Sequence, residues 1–597
     1  MAAGGQVALV IPSPSRLDFN ILDDQTNMPI PGRLLVIGDH PAFPDRRLFE
    51  TYDRLDQIAI TQHAIRGSSS VGADPDAPLM LPAGGVFRIY ATRGTDWSMA
   101  SQPFTASGDA ELDFRLRQVA PSTGYLATDW HVHQIGSPDS PVPTDMRVRS
   151  AVSAGIEMFA VTDHDYVADL NPMVSDLGLD DMLYVISGME VTPFAYGHFN
   201  AWPLVPDDGS PNKGAIDWAR GMVGFAMTPG EIYDAMRARG ASMVQINHPR
   251  SSSSFSEFQS FFDRAELAYD YDARTIYGDF AGANVPNSFL RLPDADLWSN
   301  EFNGLEVWNG FRMADSDDDG VREIQSQDQV LRDWFNMLSL GLVVTPAGNS
   351  DTHTAIRDAL GAPRTMVRVT DDSGAAIATS VDDVMSTLTG TTARDIVVTN
   401  GPMIDVTYNA APAIGATIAP AGTLTLEVTI QSPEFAFFDT LEVFANATPD
   451  IVANNAVSAI TPLKCWTSRT LPLPAVDACA TASIAPEAMT VQVVNVAAGF
   501  RRYEATITIT LDAADIVNRA GATGQDAWLV LRARGDRATF PLLPDGAIDA
   551  DTRAAIMSGD PAMLATALVG KGVPASAFTA PIFVDFDGGG YRAPFAP

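Results

Sequence analysis

The sequence predicts an α/β barrel with a β-sandwich on either side. Three observations carry this. Both ends of the chain are runs of short apolar strands punctuated by Gly, Pro, Asp and Asn. Between about residues 123 and 400, apolar strands alternate with helical segments. Six of the eight histidines fall in that middle segment, each at or next to a strand end.

In chain order, VALVI, RLLVIG, VFRIYA and ELDFRLR give the first sandwich, residues 1–122. His40 and His63 are isolated there and read as structural or surface residues. The middle segment, 123–400, opens with YLATDW, followed by the helical TDMRVRSAVSAG and the strand EMFAVTD. DMLYVISGMEVT, HFNAWPL, the helical TPGEIYDAMRARG, SMVQINHP and GLEVWNG come next. The long helical stretch VREIQSQDQVLRDWFNMLSLG and the strand LVVTPAGNSD complete it. This alternation argues for parallel strands with crossover helices, and the number of strands favours a barrel over a doubly wound sheet. From 401 to 597 helices fade, and TLTLEVTIQS, DTLEVFANA, RRYEATITITL and AWLVLRARG read as a second sandwich.

Composition narrows the function. The chain has 597 residues, 46% of them hydrophobic, enough for several cores. Its net charge of −35 opposes nucleic acid or an anionic membrane as partner. It does not oppose a small anionic substrate, because a bound metal inverts the local field. No stretch has the unbroken apolar length of a membrane span. MAAGGQVALVIPSPSR is not a signal peptide as written, though a removed one would leave no trace. Cys465 and Cys479 form either a disulfide, which would suggest an exported protein, or two buried thiols, with a cytoplasmic location left open.

The strand-end groups are His131 and His133 in DWHVH, His164 in TDHD, Glu190 in GMEV, His198 in GHFN, His248 in NHPR, and Asp351 with His353 in NSDTH. In a parallel barrel the C-terminal strand ends converge on one mouth. Residues i and i+2 of an extended segment share a side, so His131 and His133 reach one ion, as do Asp351 and His353. Imidazole and carboxylate suit Zn²⁺, Mn²⁺ or Fe²⁺, and a carboxylate such as Glu190 can bridge two ions.

These motifs, in this order, resemble the polymerase and histidinol phosphatase (PHP) family of metallohydrolases over roughly residues 123–400. TNGPMIDV and FTAPIFVDFDGGG in the flanking region resemble its carbaryl-hydrolase-like branch. The resemblance implies a distorted seven-stranded β/α barrel holding two or three divalent ions. One ion would take His131, His133, Asp351 and the bridging Glu190. A second would share Glu190 and take His198 and His248. A third would take His164, His353 and an early ligand, for which Asp139 is the candidate. The reaction implied is hydrolysis by a metal-bridging hydroxide. The expected substrate is a small phosphoester with an aryl or apolar leaving group. A carboxylic or carbamate esterase with the same site is the alternative, and a non-catalytic binding or assembly module is the reading of another class.

Arg250, two residues after His248, is either a substrate contact or a surface arginine. Asp163, and less so Asp165, is a candidate to orient a ligand imidazole. The aromatic-rich stretch 251–300 is either a lid over the mouth or a subdomain packing its own core. DSDDDG, 315–320, lacks the terminal Glu of an EF-hand and reads as a solvated acidic loop.

Overall fold

The computed structural model describes residues 13–39, 41, 47–48, 60–70, 75–120, 122–193, 197–222, 225–250, 259–278, 297–310, 313–314, 323–324, 327–355, 359–446, 462–469, 484–517, 526–541 and 549–595. The chain divides into two compact units. The first is Met1–Arg93, Trp97–Gln118 and Asp545–Leu568. The second is Gly94–Asp96, Val119–Pro544 and Val569–Pro597. A late excursion of the chain therefore belongs with the N-terminal residues, and residues on both sides of 400 share one unit.

In the first unit, Ser15–Asp23 lies between Leu79–Leu81 and Ala110–Leu116 in one sheet. Gly32–Asp39 and Val86–Thr92 centre a second. Alternate residues of both, including Leu17, Phe19, Leu34, Val36, Phe87 and Ile89, fill a shared core. The helix Ala550–Ser558 joins this unit, where the Tyr90 hydroxyl donates to Ile556 O at 2.5 Å.

Two mixed sheets position the site in the second unit. In one, Met158–Val161 runs parallel to both Tyr125–Val132 and Tyr184–Ser187. The other is ordered Met189–Val191, Phe199–Trp202, Met243–Ile246, Gly304–Asn309 and Thr345–Asn349. Isolated parallel bridges, Val132 to Thr352 and His164 to Glu190, connect strand ends across the two sheets. The uniformly parallel order expected from the alternation is not what forms. Met189–Val191, Phe199–Trp202 and Met243–Ile246 are successively antiparallel, and Arg364–Arg368 is antiparallel to Tyr125–Val132. The physical reason at the first pair is length. Val191 and Phe199 are joined by a loop too short for a crossover helix, which parallel strands require.

Capping and apolar spacing agree at one helix of this unit. Pro229–Ala238 starts with a capping box: Thr228 Oγ1 accepts from Glu231 N, and Glu231 Oε2 accepts from Thr228 N. It buries Ile232, Tyr233 and Met236 on one face. Gln327–Ser339 buries Val330, Leu331, Trp334, Phe335 and Leu338.

The first mixed sheet does not stop at the site. Arg364–Arg368 pairs with Ile396–Thr399, which pairs with Pro574–Thr579 and so with Ala527–Ala538 and Thr440–Ala445. The C-terminal strands therefore continue this sheet and cover helix Gln327–Ser339. Trp528 Nε1 donates to Ser339 Oγ at 3.1 Å, and Phe335 packs on Trp528 and Phe444. A separate five-stranded sheet is centred on Thr423–Pro433 and Phe500–Asp512, antiparallel over eleven residue pairs. Its alternating exposure matches the alternating sequence TLTLEVTI.

Cys465 is buried in the strand Lys464–Thr467 and is disulfide-bonded. Cys479, His40 and the acidic run 315–320 lie outside the described residues. Among the described residues no helix is long and apolar enough to cross a membrane.

Candidate metal centre

Glu190 is the hub. It stands on the short strand Met189–Val191 and is fully buried. Its Oε1 lies 3.3 Å from His131 Nε2, 3.1 Å from His198 Nδ1 and 3.4 Å from His248 Nε2. Its Oε2 lies 2.9 Å from His164 Nδ1 and 3.5 Å from His133 Nε2. Asp351 Oδ1 is 3.2 Å from Nε2 of both His131 and His133. Asp139 is half exposed, yet its Oδ2 is 3.3 Å from Nε2 of both His164 and His353. All nine residues expected to be ligands are thus brought into one cluster.

The local chain explains how. His131 is the penultimate residue of the strand Tyr125–Val132, all of whose residues are buried, and His133 follows directly after its end with its N–H donating to Thr352 O. Thr352 is the residue between Asp351 and His353, so the two i, i+2 pairs face each other. Arg147, buried on the helix Thr144–Ser153, donates to the Thr352 hydroxyl and carbonyl and fixes that turn. His248 and Asp351 both adopt left-handed backbone, with φ of 26° and 48°. Such non-glycine conformations persist where surroundings over-determine them, which is common at functional sites.

The electrostatics are those of a cation site. Burial opposes a charged His131, but Asp351, Glu190 and Glu306 outweigh it and raise its pKa well above the ordinary value. His164 is likewise pushed up, against burial, to about 11 by Glu190 and Asp139. Burial also opposes ionised Glu190, yet the surrounding imidazoles hold it well below the ordinary carboxylate range. His133 goes the other way, down to about 3, through burial and the nearby His353.

Fit to metal ions can be tested on the polar atoms. His131 Nε2, His133 Nε2, Glu190 Oε2 and Asp351 Oδ1 are buried without a hydrogen-bond partner among the described residues. Within this cluster, four triads of described residues have ligand atoms within 4.8 Å of one another: His131, His133 and Asp351; His131, Glu190 and His248; His164, Glu190 and His198; His133, His164 and His353. Buried polar atoms left in this state cost free energy, and a divalent cation removes that cost. The donor set, imidazole nitrogen with carboxylate oxygen, fits Zn²⁺, Mn²⁺ or Fe²⁺.

Two of the expected residues are held by groups outside the ligand set. Arg250 is one of them. It is buried, with Nε and Nη2 donating to Asp333 at 2.7 and 3.1 Å and Nη1 to Asp263 at 2.9 Å. Burial without these partners would be prohibitive for a guanidinium, so its geometry is spent on them. Asp163 has no hydrogen bond to a ligand imidazole among the described residues. It accepts from the Gln134 main chain and side chain and from Ser137. Ser137 Oγ is in turn 2.9 Å from His133 Nδ1 and accepts from His164 N. Asp163 therefore shapes the loop that holds the ring. Asp165 accepts from Thr192 N and Trp218 Nε1 instead of an imidazole.

Phe261, Phe262, Tyr269 and Tyr271 of the aromatic stretch pack inward, whereas Tyr277 is exposed. Phe261 and Phe262 are fully buried, and Phe261 stacks on Trp298 and meets Phe199 edge-on. Tyr269 and Tyr271 donate to Asp333 and Asn336. Phe255, Phe258 and Phe280 lie outside the described residues.

Groups not singled out in the sequence complete the site. Asp129, fully buried, accepts from His131 N, from Ser350 N and Oγ, and from Gly361 N. It staples the His-x-His strand end to the turn that carries Asp351. Glu306 lies 3.0 Å from His131 Nδ1. Its one sequence signal is a carboxylate set inside the otherwise apolar GLEVW strand.

No family model matches the chain, and no curated protein matches it. Among solved structures it is similar to a two-domain protein of Bacteroides vulgatus described as containing a predicted PHP-like metal-dependent phosphoesterase. The identity is 16% and the TM-score 0.29, over 72% of this chain and 95% of that one. It is also similar to a lesion-specific endonuclease, endonuclease Q of Pyrococcus furiosus. There the identity is 14% and the TM-score 0.26, over 45% of this chain and 56% of that one.

Proposed function

We propose that this protein is a PHP-type metal-dependent hydrolase that cleaves small phosphoesters. The observation that carries the reading is the convergence of buried, unpartnered imidazole and carboxylate atoms around Glu190. His131, His133, Asp351 and Glu190 would hold one ion, Glu190 with His198 and His248 a second, and His164, His353 and Asp139 a third. The two mixed sheets are then the walls of the distorted barrel that the motifs imply. Bound ions would supply Lewis-acid stabilisation of a developing oxyanion and a water acidified toward neutral pH.

The chain's own residues do the rest. Glu190 and Asp351 would offset the positive charge of bound ions. The loop Gln134–Ser137, pinned by Asp163, keeps His133 oriented, and Thr192 Oγ1, 2.7 Å from His164 Nδ1, orients that ring. The net charge of −35 favours a small ester over a long polyanion, which would be repelled before reaching the mouth. The disulfide at Cys465 supports an oxidising, exported location.

Metal content per chain and turnover of matched aryl phosphate and aryl carbamate esters test the proposal together. Two or three equivalents of metal, with phosphoester turnover abolished in His131→Ala and Asp351→Ala, are expected. Faster carbamate cleavage would move the assignment to an esterase of the same site. Metal-free protein with no turnover after reconstitution would leave a binding module.

A further inference from the structure

We propose that Glu306 is a positioning residue of the metal centre: it fixes His131 in the tautomer that turns Nε2 toward the ion and holds the His248 main chain in its left-handed bend. The inference rests on the metal-hydrolase reading and assigns a residue outside the ligand set.

Glu306 stands in the strand Gly304–Asn309, which pairs in parallel with Met243–Ile246 on one side and Thr345–Asn349 on the other. One neighbour leads to His248 and the other to Asp351. The side chain is 1% exposed, and it belongs to none of the metal-holding triads. Its Oε1 lies 3.0 Å from His131 Nδ1 and accepts from Asn349 Nδ2 at 3.0 Å. Its Oε2 accepts from His248 N at 2.6 Å and from Asn309 Nδ2 at 2.9 Å. Asn309 Nδ2 also reaches Asp351 Oδ2 at 3.1 Å. One carboxylate thus ties together the segments that carry His131, His248 and Asp351.

The chemistry follows from what a carboxylate can do. An ionised carboxylate has about four acceptor positions and no donor. All four are used here. The ring nitrogen facing it must therefore carry hydrogen, so in the neutral ring, the form that binds an ion, the bare lone pair is that of His131 Nε2. The same contact raises the basicity of the ring.

A glutamine of the same shape cannot reproduce this. With its oxygen toward His131, its NH₂ meets the His248 N–H and the Asn309 amide, and donor faces donor. With its NH₂ toward His131, the ring must accept at Nδ1 and move its proton to Nε2, where the ion should sit. An aspartate is shorter but keeps the acceptor chemistry. If Glu306 were only packing, the isosteric Glu306→Gln would be the milder change. If it sets the tautomer, Glu306→Asp is the milder one.

The experiment measures the affinity of the full chain for Zn²⁺ and for Mn²⁺, each alone, by chelator competition. Far-ultraviolet circular dichroism of each apo variant monitors folding. Glu306→Gln should weaken the tightest site by roughly 10- to 100-fold, with Glu306→Asp recovering part of the loss. Wild-type affinity in Glu306→Gln, or a larger loss in Glu306→Asp, overturns the inference while leaving the metal centre in place. Absence of metal binding by the wild-type chain overturns the underlying reading and the inference with it. Should Glu306→Gln fail to fold, Asn309→Ala removes a donor from Glu306 Oε2 and from Asp351. Weakened metal affinity is then expected, and wild-type affinity overturns the proposal.

Discussion

Replacing Arg250 with methionine tests most directly whether this residue serves chemistry or architecture. Its guanidinium makes two hydrogen bonds to Asp333, at 2.7 and 3.1 Å, and one to Asp263 at 2.9 Å. Asp333 is 0% exposed and otherwise keeps only the Tyr269 hydroxyl at 3.0 Å and, at the outer limit of an ion pair, Arg332 Nη2 at 4.0 Å among the described residues. Methionine preserves much of the stem volume over Phe262 but strands the Asp333 charge in the interior. Removing one partner of a buried pair costs about 3–5 kcal/mol, because the other charge remains desolvated and unpaired. The Arg250→Met variant should lose that much stability in urea denaturation followed by tryptophan fluorescence. The double variant Arg250→Met/Asp333→Leu should recover most of it, since both charges are gone. Turnover per folded molecule at low temperature should survive in the double variant. Unchanged stability with a collapse of turnover in Arg250→Met would refute this reasoning and return Arg250 to the substrate.

Other perturbations reach separate parts of the molecule. Ser137→Ala removes the 2.9 Å contact to His133 Nδ1 and the acceptor of His164 N, so metal affinity should fall roughly tenfold or more by chelator competition. Equal affinities would remove Ser137 from the site. Stripping the metal should lower the urea midpoint. Free metal at a hundred times its Kd stabilises the folded chain by about 2.7 kcal/mol, and no shift on chelation would mean no tight site. Asp328 gives an acid-side prediction. Burial opposes its charge, but Arg532 outweighs burial and holds the carboxyl below its ordinary value of 3.8. A depressed carboxylate pKa stabilises above the unfolded value and loses that contribution as pH falls through the folded one. Asp328→Asn should therefore cost about 1.5–3 kcal/mol at neutral pH, with the gap to wild type closing below about pH 4. A gap constant with pH would show that the charge is not what matters.

Local residue choice determined a large part of this site. His131 with His133, and Asp351 with His353, share a side because extended backbone has a period of two. That geometry holds whatever the surrounding fold does, and motif order made the remaining strand-end groups legible. Capping chemistry was local too, which is why TPGE marks the start of a helix. What tertiary structure decided lies between segments. Arg250 reads equally as a substrate ligand or a surface charge until helix Gln327–Ser339 brings Asp333 against it. Glu306 reads as one polar residue in a strand until parallel pairing sets it between the approaches to His248 and Asp351. Phe261 reads equally as part of a lid or of a core until it meets Phe199 and Trp298. Strand direction was obscure for a related reason, since alternating apolar runs look alike in either orientation and only the length of each connection selects one. Side-chain chemistry belongs to the sequence. The identity of the partner across a gap of many residues belongs to the packed chain, because burial makes each polar group require a complement that no local pattern specifies.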